Sequence, residues 1–415
     1  MRHVLGLKCV LCGAEYSPDT VQYVCPRHGD DGILDVLYDY ASLRAHWLRE
    51  DLAHNPERSM WRYRPLLPLR ENTPAPPLAV GWTPLYRAPR LERDLGLREV
   101  WLKDEGRNPT ASLKDRASAV GLAKAWELGH RRIVAASTGN AASSLAGLAA
   151  SMGMETVIFV PETAPKGKLA QLLIFGATLV AVRGTYDQAF DLSLEATRLY
   201  GWYSRNTAYN PYLSEGKKTA ALELCEQLHW QVPDRIFVPV GDGCILGGVW
   251  KGLRDLLALG FLERTPRLVG VQAEGSAALA RAWAQGTEEV EPVEPHTLAD
   301  SISVGLPRDR VKALRAVRET GGEFVTVSDE AILEAMRVLG RECGVFAEPA
   351  GAAGLAGLLQ MARAGRIGSE ERVAVLITGN GLKDVESALR AVGEPHRMEP
   401  TVEALKALVR RVGLA

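Results

Sequence analysis

The sequence predicts an α/β protein with parallel-type sheets flanked by helices, and three observations carry that prediction. Short runs rich in β-branched residues recur along the chain, and each leads into an amphipathic stretch of helix length, the alternation that builds βαβ units. Glycine-bearing loops close several of those runs. The chain has 415 residues, 47% hydrophobic and 24% charged, an ordinary globular composition long enough for two or three sizeable cores.

Charge excludes some function classes. Lys and Arg number 49 against 50 Asp and Glu, a net charge of -1, which offers nothing to nucleic acid or an anionic membrane. A small-molecule partner is expected. No apolar run approaches the roughly 20 residues of a bilayer span, and MRHVLGLKCV lacks the core and cleavage site of a signal peptide. The expected location is the cytoplasm.

Taken in order, the first element is CVLCGAEYSPDTVQYVCPRHG, which presents Cys9, Cys12, Cys25 and His28. Two residues separate the members of each pair, so both side chains of a tight turn point at one ion. Three thiolates and an imidazole then complete a tetrahedral zinc site. Such a site is structural; the plainer reading is a ribbon that keeps these residues without metal. A ribbon over residues 1 to 40 is expected, followed by a Pro- and Arg-rich linker at roughly residues 55 to 90.

Strand and helix patterns then alternate. RRIVAAS precedes GNAASSLAGLAASMG, ETVIFVP precedes KGKLAQLLIFGA, and TLVAVRG precedes DQAFDLSLEATRLYG. RIFVPVG precedes ILGGVWKGLRDLLALG, and RLVGVQAEG and RVAVLITGNG complete the set. In open parallel sheets ligands bind beyond the carboxyl ends of strands, so the loops there are the candidate site. Ser137-Thr138-Gly139-Asn140 follows one strand, and Gly241-Asp242-Gly243-Cys244-Ile245 follows another and opens a helix. Thr378-Gly379-Asn380-Gly381 follows a third. The Gly241 loop suits an anion, because glycines let backbone N–H groups approach it and the helix dipole favours negative charge. It is neither GxGxxG nor GxxxxGK[ST], which weighs against a dinucleotide fold or a P-loop. NPTASLKDRAS, residues 108 to 118, places Lys114 where a helix starts.

The ordered set resembles the pyridoxal-phosphate enzymes of fold type II, the tryptophan-synthase-β type, and within them the threonine synthases. NPTASLKDR is similar to their NPTGSFKDR, ASTGNAAS to their ASTGN segment, and NPYLSEGKKTAALEL to NPYRxEGxKT. VGVQAEGSA, EPAGAAGLAGL and VLITGNGLKD are also similar, and the resemblance runs from about residue 80 to residue 385. Some members carry an N-terminal cysteine ribbon.

The resemblance implies the site. Lys114 forms a Schiff base with pyridoxal phosphate and later shuttles protons, which at neutral pH requires a pKa lowered from the usual value near 10.4. Asn140 bonds the cofactor's phenolic oxygen; Gly241, Asp242, Gly243, Cys244 and Ile245 donate backbone N–H groups to its phosphate. Thr378 faces the pyridine nitrogen, and Ser137 and Thr138 receive the substrate carboxylate. The implied reaction converts O-phosphohomoserine and water to threonine and phosphate. For the substrate phosphate the cationic candidates are Arg116, Lys217, Arg183, Arg205 and Lys218.

This chain departs from the family at Ala111, Leu113, Ala117 and Asn380, and ADSISVGLPR (299 to 308) differs from the expected ATAIRIG-type segment. The departures leave a dehydratase of threonine or serine, or a cysteate synthase, as alternatives. From another class, a cofactor-binding pseudoenzyme acting as a sensor is also open. The expected architecture is the ribbon at 1–40, a large cofactor-binding domain from 41–112 and 207–415, and a smaller mobile domain at 113–206. Homodimers are usual in the family.

Overall fold

The computed structural model describes residues 3–164 and 166–414. Three strands, β1 (Val4–Cys9), β2 (Glu15–Tyr16) and β3 (Leu34–Tyr38), form an antiparallel sheet in the order β2-β1-β3. This ribbon shares the main core: Leu7, Cys25, Leu34 and Val36 pack in one cluster with Tyr63, Leu113 and Leu246. Polar contacts dock it further. Tyr38 donates to Glu215 at 2.6 Å and Tyr40 to Asp255 at 2.6 Å, while Lys312 pairs with Asp35 at 2.6 Å.

The segment expected as a linker is instead packed. Met60–Leu66 forms a 3-10 turn, and Met60, Tyr63 and Leu66 are fully buried. Proline and arginine suggested exposure, but the Arg62 guanidinium is enclosed by Glu226 and by backbone oxygens of Leu52 and Glu57. A buried cation is tolerated where its donors are met.

β4 (Leu85–Arg87) and β5 (Glu99–Asp104) come next, then β6 (Arg132–Ala136), β7 (Glu155–Pro161), β8 (Thr178–Val182) and β9 (Tyr203–Ser204). β10 (Arg235–Pro239), β11 (Arg267–Ala273), β12 (Glu323–Val327) and β13 (Arg372–Ile377) complete the strands of the described residues. They form a six-stranded sheet, β12-β11-β10-β13-β5-β4, and a four-stranded sheet, β8-β7-β6-β9. All pairings are parallel except β4 with β5. Parallel strands covered on both faces read as unbroken apolar runs, and all five residues of β10 are buried. At the edge, β8 is half-exposed throughout.

Small residues let the helices close on the sheets. The helix Asn140–Ser151 buries nine of its residues, and a Cβ on its Gly147 would lie 2.8 Å from Thr110 Cγ2. Where the helix Lys114–Glu127 crosses Tyr212–Lys217, a Cβ on Gly216 would lie 2.0 Å from the Arg116 carbonyl oxygen, so only glycine permits the crossing. Among the described residues no helix is long and apolar enough to cross a membrane.

Candidate active site

The β-strand ends open on a cavity of about 1040 Å³ between the two larger sheets. Lys114, Ser137, Thr138, Asn140, Gly241–Ile245 and Thr378 all line it. Sequence positions more than 260 residues apart thus meet on one wall system, because each follows a parallel strand or a loop stitched to one.

Lys114 is the first residue of its helix, and the loop before it is sewn to the loop after β13. Leu113 N–H donates to the Thr378 carbonyl at 2.9 Å, and Asn380 N–H donates to the Ala111 carbonyl at 3.0 Å. Ala111 holds φ at +69°, a left-handed conformation that favours glycine, so this family position carries local strain here. The Lys114 ammonium is disfavoured by burial, then by the nearby charges of Lys217 and Arg205, which hold its pKa down at about 8.

The anion loop has a glycine framework. Gly243 has φ +87°, and Cβ atoms on Gly241 and Gly243 would meet Ile302 Cα at 2.9 Å and Ala313 Cβ at 2.8 Å. The left-handed residue is therefore Gly243, and Cys244 starts the helix Cys244–Ala258 without needing a positive φ. The first-turn N–H groups of this helix have no acceptor within it. Glycine cradle, helix N-terminus and nearby amine fit a phosphorylated aldehyde such as pyridoxal phosphate.

Asn140 Nδ2 donates to Glu348 Oε1 at 2.7 Å. Glu348 N–H in turn donates to the Gly379 carbonyl at 3.1 Å. Burial pushes the Glu348 carboxyl up to about 7, although the Asn140 hydrogen bond and the Lys114 charge oppose it. Glu348 was not singled out from the sequence; a lone carboxylate at the entrance to EPAGAAGLAGL was the signal available.

The cationic candidates separate sharply. Arg116 does not reach the cavity: fully buried, it pairs with Glu105 at 2.7 Å and Glu223 at 2.6 Å and bonds Thr219 at 2.9 Å. The substrate role expected for it is corrected accordingly, since two carboxylates occupy its fork. Lys218 is likewise consumed by Glu215 and by Asp255 at 2.7 Å, and Arg183 is exposed beside Glu162. Lys217 lies behind the wall, 3.4 Å from the hydroxyl of Thr207, which does line the cavity. Arg205 lines the cavity itself. Its Nε donates to Ser118 at 3.0 Å, while its buried Nη2 has no partner among the described residues. The 299–308 segment contributes a cation that sequence reasoning missed, Arg308, whose guanidinium lies 3.7 Å over the Phe190 ring.

Residues 77–379 match the family model described as "Pyridoxal-phosphate dependent enzyme". The chain is 37% identical to a threonine synthase of Methanocaldococcus jannaschii over 98% of this chain and 99% of that one. It is 39% identical to a threonine synthase of Methanosarcina acetivorans over 96% and 97% of the two chains. Among solved structures, a serine racemase from maize superposes with a TM-score of 0.62 at 21% identity, covering 72% of this chain and 89% of that one. A processed threonine deaminase isoform 2 from Solanum lycopersicum gives a TM-score of 0.64 at 22% identity over 75% and 88%. The chain belongs to the pyridoxal-phosphate dependent enzymes of fold type II and, within them, to the threonine synthase family.

Proposed function

We propose that this protein uses pyridoxal phosphate to convert O-phosphohomoserine and water to threonine and phosphate. The observation that carries the reading is the cavity in which Lys114 faces the Gly241–Ile245 cradle, Asn140 and Thr378, with an unpaired Arg205 nitrogen beside them. When bound, the cofactor delocalises the electron pair left as the substrate loses its α-proton.

The chain's own residues supply the rest. Lys114 Nζ, with its pKa near 8, is neutral often enough at physiological pH to take the proton from Cα and then one from Cβ. As phosphate leaves Cγ and water adds at Cβ, the same amine returns protons to the carbon skeleton. Ser137 and Thr138, at the N-terminus of the helix Asn140–Ser151, hold the substrate carboxylate by their hydroxyls and by the Thr138 N–H, the Ser137 N–H being bonded to the Phe159 carbonyl. Asn140 would hold the cofactor by its phenolic oxygen. Thr378, which lines the cavity, would face the ring nitrogen with a hydroxyl in place of a carboxylate and so would favour elimination and replacement. Arg205 and Arg308 grip the substrate phosphate and then the expelled phosphate.

Residues 113–206 act as a smaller unit that closes over the substrate and excludes water, and the working form is a cytoplasmic homodimer. Parallel incubations with O-phosphohomoserine, threonine, serine, and O-phosphoserine plus sulfite test the activity. Threonine and phosphate from the first substrate alone support it; 2-oxobutyrate from threonine alone overturns it.

A further inference from the structure

The ribbon's polar cluster is not used by the chemistry above. Cys9 Sγ lies 3.9 Å from His28 Nδ1, Cys25 Sγ 3.5 Å from the same nitrogen, and Cys12 Sγ 3.9 Å from Cys25 Sγ. All four ligand atoms fall within 4.8 Å of one another, and none of the cysteines is bridged. A tetrahedral zinc with Zn–S near 2.3 Å and Zn–N near 2.0 Å requires S···S edges of about 3.8 Å and S···N edges of about 3.5 Å. The Cys12–Cys25 and Cys25–His28 separations lie within about 0.1 Å of those edges and the Cys9–His28 separation within about 0.4 Å, so small side-chain shifts bring the ligands to that polyhedron. Two turns aim the ligands inward. In the first, Gly13 N–H donates to the Cys9 carbonyl at 3.0 Å with φ +71° at Gly13; in the second, His28 and Gly29 N–H groups both donate to the Cys25 carbonyl at 3.1 Å.

The same turns touch the catalytic cavity. Val10, next to Cys9, packs with Ile33 against Ala208 and against Cys244, the first helical residue of the anion loop. Tyr23 accepts from Ser204 N–H at 3.0 Å and stacks on Tyr209 with ring centroids 4.9 Å apart. Beyond His28, Asp30 and Asp31 line the cavity and pair with Arg198 and Arg310 at 3.3 and 2.9 Å.

We propose that Cys9, Cys12, Cys25 and His28 bind one zinc ion, and that the ion holds in place the ribbon turns that brace one wall of the catalytic cavity. Three thiolates and one imidazole in a closed tetrahedron select zinc over the hard divalent cations. Without the ion the four groups keep only weak contacts with one another and the Tyr16 hydroxyl 3.0 Å from Cys25 Sγ. The turns then loosen, and with them the support behind Cys244, Ala208 and Tyr209. The metal is independent of the reaction proposed above, whereas its effect on the cavity is read through cofactor and substrate binding and so rests on that reading.

Elemental analysis of the purified full-length chain, after dialysis against a weak chelator, measures the metal directly. One zinc per chain is expected. Cys12→Ser, at an exposed ligand, lowers zinc affinity by at least about tenfold, and Cys343→Ser, outside the cluster, leaves it unchanged. Background metal after incubation with zinc, or full retention of zinc by Cys12→Ser, overturns the site. Replacement by cobalt, read as the visible bands of a tetrahedral thiolate complex, gives a check that does not depend on a variant folding. For the bracing role, zinc stripped by a strong chelator raises the Kd for pyridoxal phosphate and speeds proteolytic cleavage between residues 17 and 31, and zinc addition reverses both. Unchanged cofactor affinity and cleavage in stripped protein overturn the bracing. Zinc bound to a chain inactive on every substrate would instead condemn the activity and leave the metal standing.

Discussion

Glu348 Oε1 accepts a 2.7 Å hydrogen bond from Asn140 Nδ2, across 208 residues of sequence and between the two halves of the cavity. The carboxyl fixes which way the amide points, and with it the group proposed to bond the cofactor. Glu348→Gln keeps an acceptor oxygen and should keep most of the activity, whereas Glu348→Ala leaves Asn140 unoriented and should lower kcat/KM by roughly 10- to 100-fold. Burial raises the folded-state pKa from 4.5 to about 7, so the folded apo-protein binds the extra proton between those values. Stability therefore falls as pH rises through that window, and urea denaturation of the apo-protein should show Glu348→Gln flattening the fall.

Lys114 should capture pyridoxal phosphate with a pH dependence centred near 8, because only the neutral amine attacks the aldehyde. Lys217→Gln removes the positive charge that, after burial, does most to lower it and should move that midpoint upward, read from the growth of cofactor absorbance against pH. The sign for stability follows: a lowered lysine pKa makes the unfolded chain bind more protons between about 8 and 10.5, so this group's contribution grows as pH rises there.

Arg116 is a structural cation, not a substrate ligand. Arg116→Ala strands Glu105 and Glu223 without their shared partner, and denaturant unfolding should show a loss of about 3–5 kcal/mol. Lys103, 2.9 Å from Glu223, answers only part of that deficit.

Arg205→Gln removes the unpaired guanidinium nitrogen from the cavity wall. KM for the phosphorylated substrate should rise by about 10- to 100-fold, matching the roughly 1.5–3 kcal/mol of a hydrogen bond to a charged group. Inhibition by inorganic phosphate should weaken in parallel. An unchanged KM would place the phosphate elsewhere, with Arg308 the next position to vary.

The runs around β6, β7, β10 and β13 were legible because central parallel strands need apolar residues on both faces. β5 was not, since its last residues are Lys103 and Asp104. Lys103 is buried only because Glu223 and Gln227 are brought to it by a helix 120 residues later. The packing of Met60–Leu66 was hidden for the same reason, its Arg62 depending on Glu226. Lys114 and the loops lining its cavity could be proposed from local order. Arg116, Arg205 and Lys217 could not be told apart, because whether a cation faces a cavity or a carboxylate is decided by distant partners. Glu348 escaped notice because its partner is Asn140, and no local spacing links them.

The backbone bonds from Leu113 to Thr378 and from Asn380 to Ala111 anchor the amine to the six-stranded sheet, while Ser137–Asn140 hang from β6 of the four-stranded one. The amine and the loop proposed to take the substrate carboxylate are therefore supported by different sheets. A change in the loop beyond β6 can then shift how a substrate carboxylate is held while the lysine keeps its own seat.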